Sequence, residues 1–224
     1  MRRSRPGLEV AAVFSLLLAL VWRVADSIAP AESSAGLFDA AFAAVLVAIV
    51  VGTWWRDGIG PRALGLLPSE WSGGWGSMAL FVASGVAGLA VLGASFGTAS
   101  VGAARLSWLV GYAPGITAQQ LLLQGFFAPH IATLARALPP RRQRATTIGV
   151  SSALFVALHV PNPALMIGVA IASAFWTWHF LAHRNLLAVL LSHFVLGATA
   201  MAALGPGPML NLRVGSGALD LLTR

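Results

Sequence analysis

The sequence has no cysteine and no lysine. Without cysteine there are no disulfides, no thiolate nucleophile and no Cys-ligated metal centre, and the redox compartment stays undetermined. Acid is scarce too. The seven carboxylates are Glu9, Asp26, Glu32, Asp39, Asp57, Glu70 and Asp220, so none lies between Trp71 and Leu219. Any chemistry in that long stretch must run without Asp or Glu. Charged residues make up 9% of the 224 positions and hydrophobic ones 58%. Soluble domains carry about 25% charged residues, so this composition is that of an integral membrane protein. No stretch is polar enough for a separate soluble domain, and residues 1–224 read as one membrane domain.

What charge there is belongs to arginine. All 14 basic residues are Arg, and the net charge is +7. They gather at the ends of apolar spans, which marks topology determinants and not a nucleic-acid surface. With the N-terminus inside, the inner loops hold Arg2, Arg3, Arg5, Arg56, Arg62, Arg136, Arg141, Arg142, Arg144 and Arg184. The outer side then keeps Arg105, Arg213 and Arg224, with Arg23 near the outer end of the first helix. The positive-inside rule predicts a cytoplasmic N-terminus and an outer C-terminus.

About seven spans are predicted. The apolar run from Val10 to Val21 has signal-peptide character, with Ala29 and Ala31 as a weak cleavage-like pair. Because more spans follow, it reads as an uncleaved first helix. Leu37 to Trp55 forms the second span, and Gly58 to Gly74 a Gly- and Pro-rich interfacial segment. Gly76 to Phe96 is a third span, crowded with the small residues that let membrane helices pack closely. A helix is predicted from Ala113 to Leu138, ended by Pro139-Pro140. Thr146 to Val160, Ala164 to Leu181 and Leu186 to Leu204 complete the set, before Gly205-Pro206-Gly207-Pro208 breaks the last span.

The helix from Ala113 carries three glutamines within six residues, Gln119, Gln120 and Gln124. A carboxamide in hydrocarbon needs a partner or costs several kcal/mol, on the order of a lost hydrogen bond or more. Gln120 and Gln124 are four apart and share a helix face, while Gln119 sits about 100° round. Such amides can be interhelical glue or can line a site. Two histidines, His159 and His193, also fall within apolar spans, which makes a polar interior less accidental. His179 and His183 have a chelating i,i+4 spacing, but beside Trp178 and Arg184 and without a third ligand they read as interface anchors. His130, after Pro129, has no evident partner in the sequence.

These stretches, taken in order, resemble the CAAX protease and bacteriocin-processing (CPBP) family of intramembrane proteases. That family carries Glu-Glu-x-x-x-Arg, then Phe-x-x-x-His, then His-x-x-x-Asn or Asp. The matching stretches here are Gln119-Gln120 with Gln124, Phe155 to His159, and His193 to Gly197. Val160-Pro161-Asn162-Pro163 after the second motif and Asn185-Leu186 before the third agree in texture, and the resemblance covers residues 113–204. It implies an all-α polytopic bundle. In the family the first glutamate is taken to activate water, the histidines assist, and the Asn or Asp helps hold the oxyanion.

The resemblance also defines what has changed. Gln119 and Gln120 stand where the family has glutamates, Gln124 where it has arginine, and Gly197 where it has Asn or Asp. Only His159 and His193 keep the family's residue type. A carboxamide matches a carboxylate in size but takes no proton from water, and a general base is worth about 10²–10⁴-fold. An arginine left beside vanished carboxylates would be an unpaired buried charge, so its replacement by Gln124 is consistent with their loss.

Three functions follow as expectations. The first is a catalytically impaired homologue that binds a membrane-embedded or lipidated peptide in a Gln/His cavity. The second is an active endopeptidase with a His-based or metal-assisted mechanism, although two histidines with amides make a poor zinc site. The third is a transporter subunit or assembly factor whose glutamines point into separate interfaces. No cofactor motif is present, oligomeric state is not encoded in any recognisable pattern, and a bacterial cytoplasmic membrane is the expected location. The topology leaves Gln119, His159 and His193 at different depths, so their meeting requires a tilted or broken helix.

Overall fold

The computed structural model describes residues 5–22, 32–96, 106–205, 209–210 and 213–223. Arg2, Arg3, Arg23, Asp26, Ala29, Ala31, Arg105, the Pro206–Pro208 break and Arg224 lie outside them. Every regular element among the described residues is helical. In order these are α1 (Pro6–Val21), α2 (Glu32–Arg56), a 3₁₀ turn (Pro68–Glu70), α3 (Trp75–Phe96), α4 (residues 106–134), α5 (Pro140–Ala157), α6 (Pro163–His183), α7 (Leu186–Leu204) and α8 (Gly215–Leu222). Proline opens α1, α5 and α6, where its missing N–H falls among donors with no intrahelical partner anyway. Asn162 and Asn185 cap α6 and α7, accepting from Leu165 N at 3.1 Å and Ala188 N at 2.9 Å.

By length and apolarity, α3, α6 and α7 can each cross a membrane, while α1 and Ala43–Arg56 are shorter apolar helices. In α3, exposed Leu80, Val91, Leu92 and Phe96 show a face suited to lipid. The α4 and α5 helices carry the polar residues inward, with Gln120, Gln124, Thr147 and Ser151 all buried. Polar side chains in a bundle face one another and not the hydrocarbon.

α3 packs along α7, and α5 along α6; α1 lies against α2 and the second half of α4. Close approach needs missing side chains. A Cβ on Gly93 would overlap the Ala203 carbonyl, so glycine sets the α3–α7 spacing there. One core layer gathers Met78, Leu123, Phe155, Trp176, Phe180 and Val189. A second, around Val13, Val50, Phe126, Phe127 and Ile131, joins α1 and α2 to α4.

The helix bearing the glutamines begins before Ala113 and ends at Leu134, and it is not uniform. It runs as α-helix over Leu106–Leu122, widens into a π turn over Leu123–Phe127, and resumes as Ala128–Leu134. Here Ala128 N–H reaches Leu123 O, five residues back. Pro129 cannot donate to the Gly125 carbonyl, and the Trp54 indole N–H does so instead at 2.8 Å. The break falls on Gln124.

The Gly58 to Gly74 segment holds turns and the 3₁₀ helix; Leu66 and Leu67 are exposed, but Leu64 is buried. Asn185 fastens this segment, donating to the Trp71 and Gly73 carbonyls at 2.9 Å each. At the other end of the bundle, Asn162 Nδ2 donates to Met209 O at 2.8 Å and Arg213 O at 3.1 Å, and Gly215 N–H to Val160 O at 2.8 Å. These bonds hold the C-terminal stretch against α6.

Candidate functional site

α4 and α7 bring the first and third motifs into direct contact. Gln120 is fully buried, and its Nε2 lies 2.9 Å from His193 Nδ1, across 73 residues of sequence. One turn on, Gln124 Nε2 donates to Gln120 Oε1 at 3.3 Å. The two glutamines expected on one face are therefore on one face and form a relay ending on the imidazole. Gln124 Oε1 has no partner among the described residues.

This relay decides the ring chemistry. Because the Gln120 amide donates, His193 Nδ1 accepts, and the neutral ring carries its proton on Nε2. His159 is the opposite case. Its Nδ1 lies 2.7 Å from the Phe155 carbonyl, which can only accept, so Nδ1 carries the proton and Nε2 keeps the lone pair. One imidazole is thus a donor at Nε2 and the other an acceptor.

Both rings line a cavity of about 180 Å³ together with Gln119, Tyr112, Phe155 and Val169. Leu17 and Val21 of α1 and Val214 ahead of α8 complete its apolar wall. Drug-sized ligand sites run to about 300–1,000 Å³, so this space admits one polar group and its neighbours, not a whole ligand. The Trp176 ring stacks on His193 at 4.4 Å, fixing that imidazole from the α6 side. On the α4 side Tyr112 meets it edge-on at 6.4 Å.

Gly197 lies one turn after His193, and a Cβ there would overlap the Tyr112 hydroxyl. All six motif positions are accounted for: Gln119, His159 and His193 on the cavity, Gln120 and Gln124 behind His193, Gly197 under Tyr112. Gln120 and Gln124 meet each other and His193, while Gln119 lines the cavity with both histidines. Tyr112, the chain's one tyrosine, falls outside every motif. Its distance of seven residues from Gln119, two helical turns, was the available signal.

The remaining histidines are placed otherwise than the sequence suggested. His179 is completely buried and not an interfacial anchor; Gly74 packs on its ring and on that of His183, and Ser77 Oγ lies 3.4 Å from its Nδ1. His130 does have a partner. Its Nδ1 faces Phe126 O at 2.7 Å and its Nε2 faces Glu9 Oε2 at 3.1 Å, joining α4 to α1. Glu9, Asp57 and His130 place potential ligand atoms within 4.8 Å of one another. Arg56 already spans that cluster, with Nε 2.8 Å from Asp57 Oδ1 and Nη2 3.0 Å from Glu9 Oε2. The guanidinium holds the Asp57 carboxyl below the ordinary carboxylate range. A compensating charge is built in, and the cluster reads as an ion-pair network tying α1, α2 and α4.

Fold and site together define a helical membrane protein with a small pocket between imidazoles and carboxamides, set where the bundle's helices converge. Residues 106–199 match the family profile of the type II CAAX prenyl endopeptidase Rce1-like proteins, which is what this segment is similar to. The match spans the three motifs and stops before the C-terminal stretch. No curated protein and no solved structure matches the chain.

Proposed function

We propose that the protein uses a CAAX-protease scaffold to bind a lipidated or membrane-embedded peptide while turning it over poorly. The observation that carries this reading is the Gln120–His193 hydrogen bond, with Gln119 on the cavity wall beside both imidazoles. An amide supports the ring's geometry as a carboxylate would, but supplies no base. The matched family acts on prenylated CAAX sequences, which makes a prenylated peptide the natural first ligand. The arginine distribution supports a cytoplasmic N-terminus, and a bacterial cytoplasmic membrane is the proposed setting.

The test uses full-length protein in liposomes with a fluorescent farnesylated CAAX peptide. Expected are saturable binding that His193→Ala weakens and cleavage near background. Rapid cleavage lost in His159→Ala would overturn the impairment.

One observation favours a second reading, slow hydrolysis. His159 Nε2 keeps its lone pair and His159 lines the cavity, so this ring can take a proton from water unaided. On that reading residual turnover disappears in His159→Gln but survives Gln119→Ala.

A further inference from the structure

We propose that the arginines at the α4–α5 corner bind the headgroup of an anionic phospholipid whose acyl chain lies along the exposed face of α6. The inference stands apart from the peptide-binding reading, because none of these residues lines the cavity.

The charge is oddly placed for a helix start. Arg136, Arg141, Arg142 and Arg144 fall within nine positions, and all are exposed. Three of them open α5, whose N-cap Pro139 offers no side-chain hydrogen bond and whose first turn holds no acid. A helix start carries positive partial charge, so acids are favoured there and arginines are repelled. The arginines also repel one another. Among the described residues no counter-charge relieves this. No carboxylate lies between Trp71 and Leu219, and Glu9, Asp57 and Glu70 are taken by Arg56, His130 and Arg62. The guanidinium groups of Arg136, Arg141 and Arg142 make no hydrogen bond to any described residue. The positive-inside rule asks for basic residues near a span end, but not for three against a helix start. Local rules are broken in this way at functional sites, and here the missing piece is an external anion.

The neighbouring surface decides what kind of anion. Arg144 Nη2 donates to Trp178 O at 3.2 Å, which sets the patch beside the end of α6. That helix is long and apolar enough to cross a membrane. On it Ile167, Ile171 and Trp178 are exposed, and their spacing of four and seven puts them on one face. By helical rise this face runs about 16 Å, close to half of the roughly 30 Å hydrocarbon core and so to the depth of one leaflet. Leu138, beside the arginines in sequence, is exposed as well. A free phosphate ion would use the arginines alone. A phospholipid uses the whole surface, with phosphate on the guanidinium groups, Trp178 at the headgroup boundary and a chain along the isoleucines. A zwitterionic headgroup would bring an ammonium into a patch without acid, so the lipid selected carries net negative charge.

The experiment uses full-length protein in nanodiscs of equal phosphatidylglycerol and phosphatidylcholine. Native mass spectrometry counts which lipid stays bound on release. The wild type is expected to retain phosphatidylglycerol over phosphatidylcholine by about tenfold or more. Arg141→Gln with Arg142→Gln removes two exposed charges and should lower that ratio about tenfold, with an unchanged melting midpoint in pure phosphatidylcholine. Arg5→Gln with Arg62→Gln removes as much charge elsewhere and should leave the ratio alone. A large excess of inorganic phosphate, against sodium chloride of equal ionic strength, should displace no lipid. A wild-type ratio near one would overturn the inference. An equal fall in both double variants would reduce the patch to diffuse surface charge and overturn it too. Displacement by inorganic phosphate would make this a free-anion site and overturn the lipid assignment.

Discussion

Gln120 donates its amide proton to His193 at 2.9 Å, so a carboxamide and an imidazole from helices 73 residues apart complete each other's hydrogen bonding. Gln120→Leu keeps the volume but strands His193 Nδ1 and the Gln124 amide in a buried setting. Each stranded group costs about 1–3 kcal/mol, so a loss of about 2–4 kcal/mol is expected. Thermal unfolding in detergent reads this as a clear drop in midpoint. Gln120→Glu, which still accepts from Gln124, should fall less.

A carboxylate placed in the cavity tests the proposed impairment. Gln119→Glu places an acid on the wall that His159 shares. General-base assistance is worth about 10²–10⁴-fold, so cleavage of the farnesylated peptide in proteoliposomes should rise at least about 10²-fold over wild type. An unchanged rate would show that something other than the missing acid limits turnover.

Two glycines of α3 should behave oppositely. A Cβ on Gly88 meets nothing within 4 Å, while one on Gly93 runs into the Ala203 backbone. Gly88→Ala is expected to be neutral or stabilising by up to about 1 kcal/mol from helix propensity. Gly93→Ala pushes α3 off α7 and should cost about 1–3 kcal/mol. Paired melting curves in one detergent decide it.

The Asp57–Arg56 pair sets an acid limit. Arg56 holds the folded-state Asp57 carboxyl below its ordinary value of 3.8. The pair's contribution is therefore complete above that value and is lost as pH falls through the depressed one. It lies at the surface, so the effect is small and screened by salt. Melting midpoints should fall more steeply below about pH 4 in the wild type than in Asp57→Asn, most visibly at low ionic strength.

Chemical type is legible in the sequence because it depends on which residues are present and in what order. A chain of 9% charge cannot be a soluble domain, and no segment from Trp71 to Leu219 can supply a carboxylate. Glutamine at 119, 120 and 124 with histidine at 159 and 193 points to one family, and residues 106–199 match it. Periodicity alone puts Gln120 and Gln124 on a shared face. Other features are hidden for definable reasons. His130 and Glu9 lie 121 residues apart, and nothing local in either segment names its partner. His179 sits beside Trp178 and Arg184, which read as a boundary, yet the loop carrying Gly74 folds over it.

Membrane character, helical class and the absence of carboxylates between Trp71 and Leu219 were therefore determined by sequence alone, since composition and spacing act locally and each residue carries its own chemistry. Only the tertiary structure decided which nitrogen of each imidazole holds the proton, that a π turn falls on Gln124, and that Tyr112 fills the space beside Gly197. Those outcomes depend on how far apart two helices stand, and that distance is set by every side chain between them.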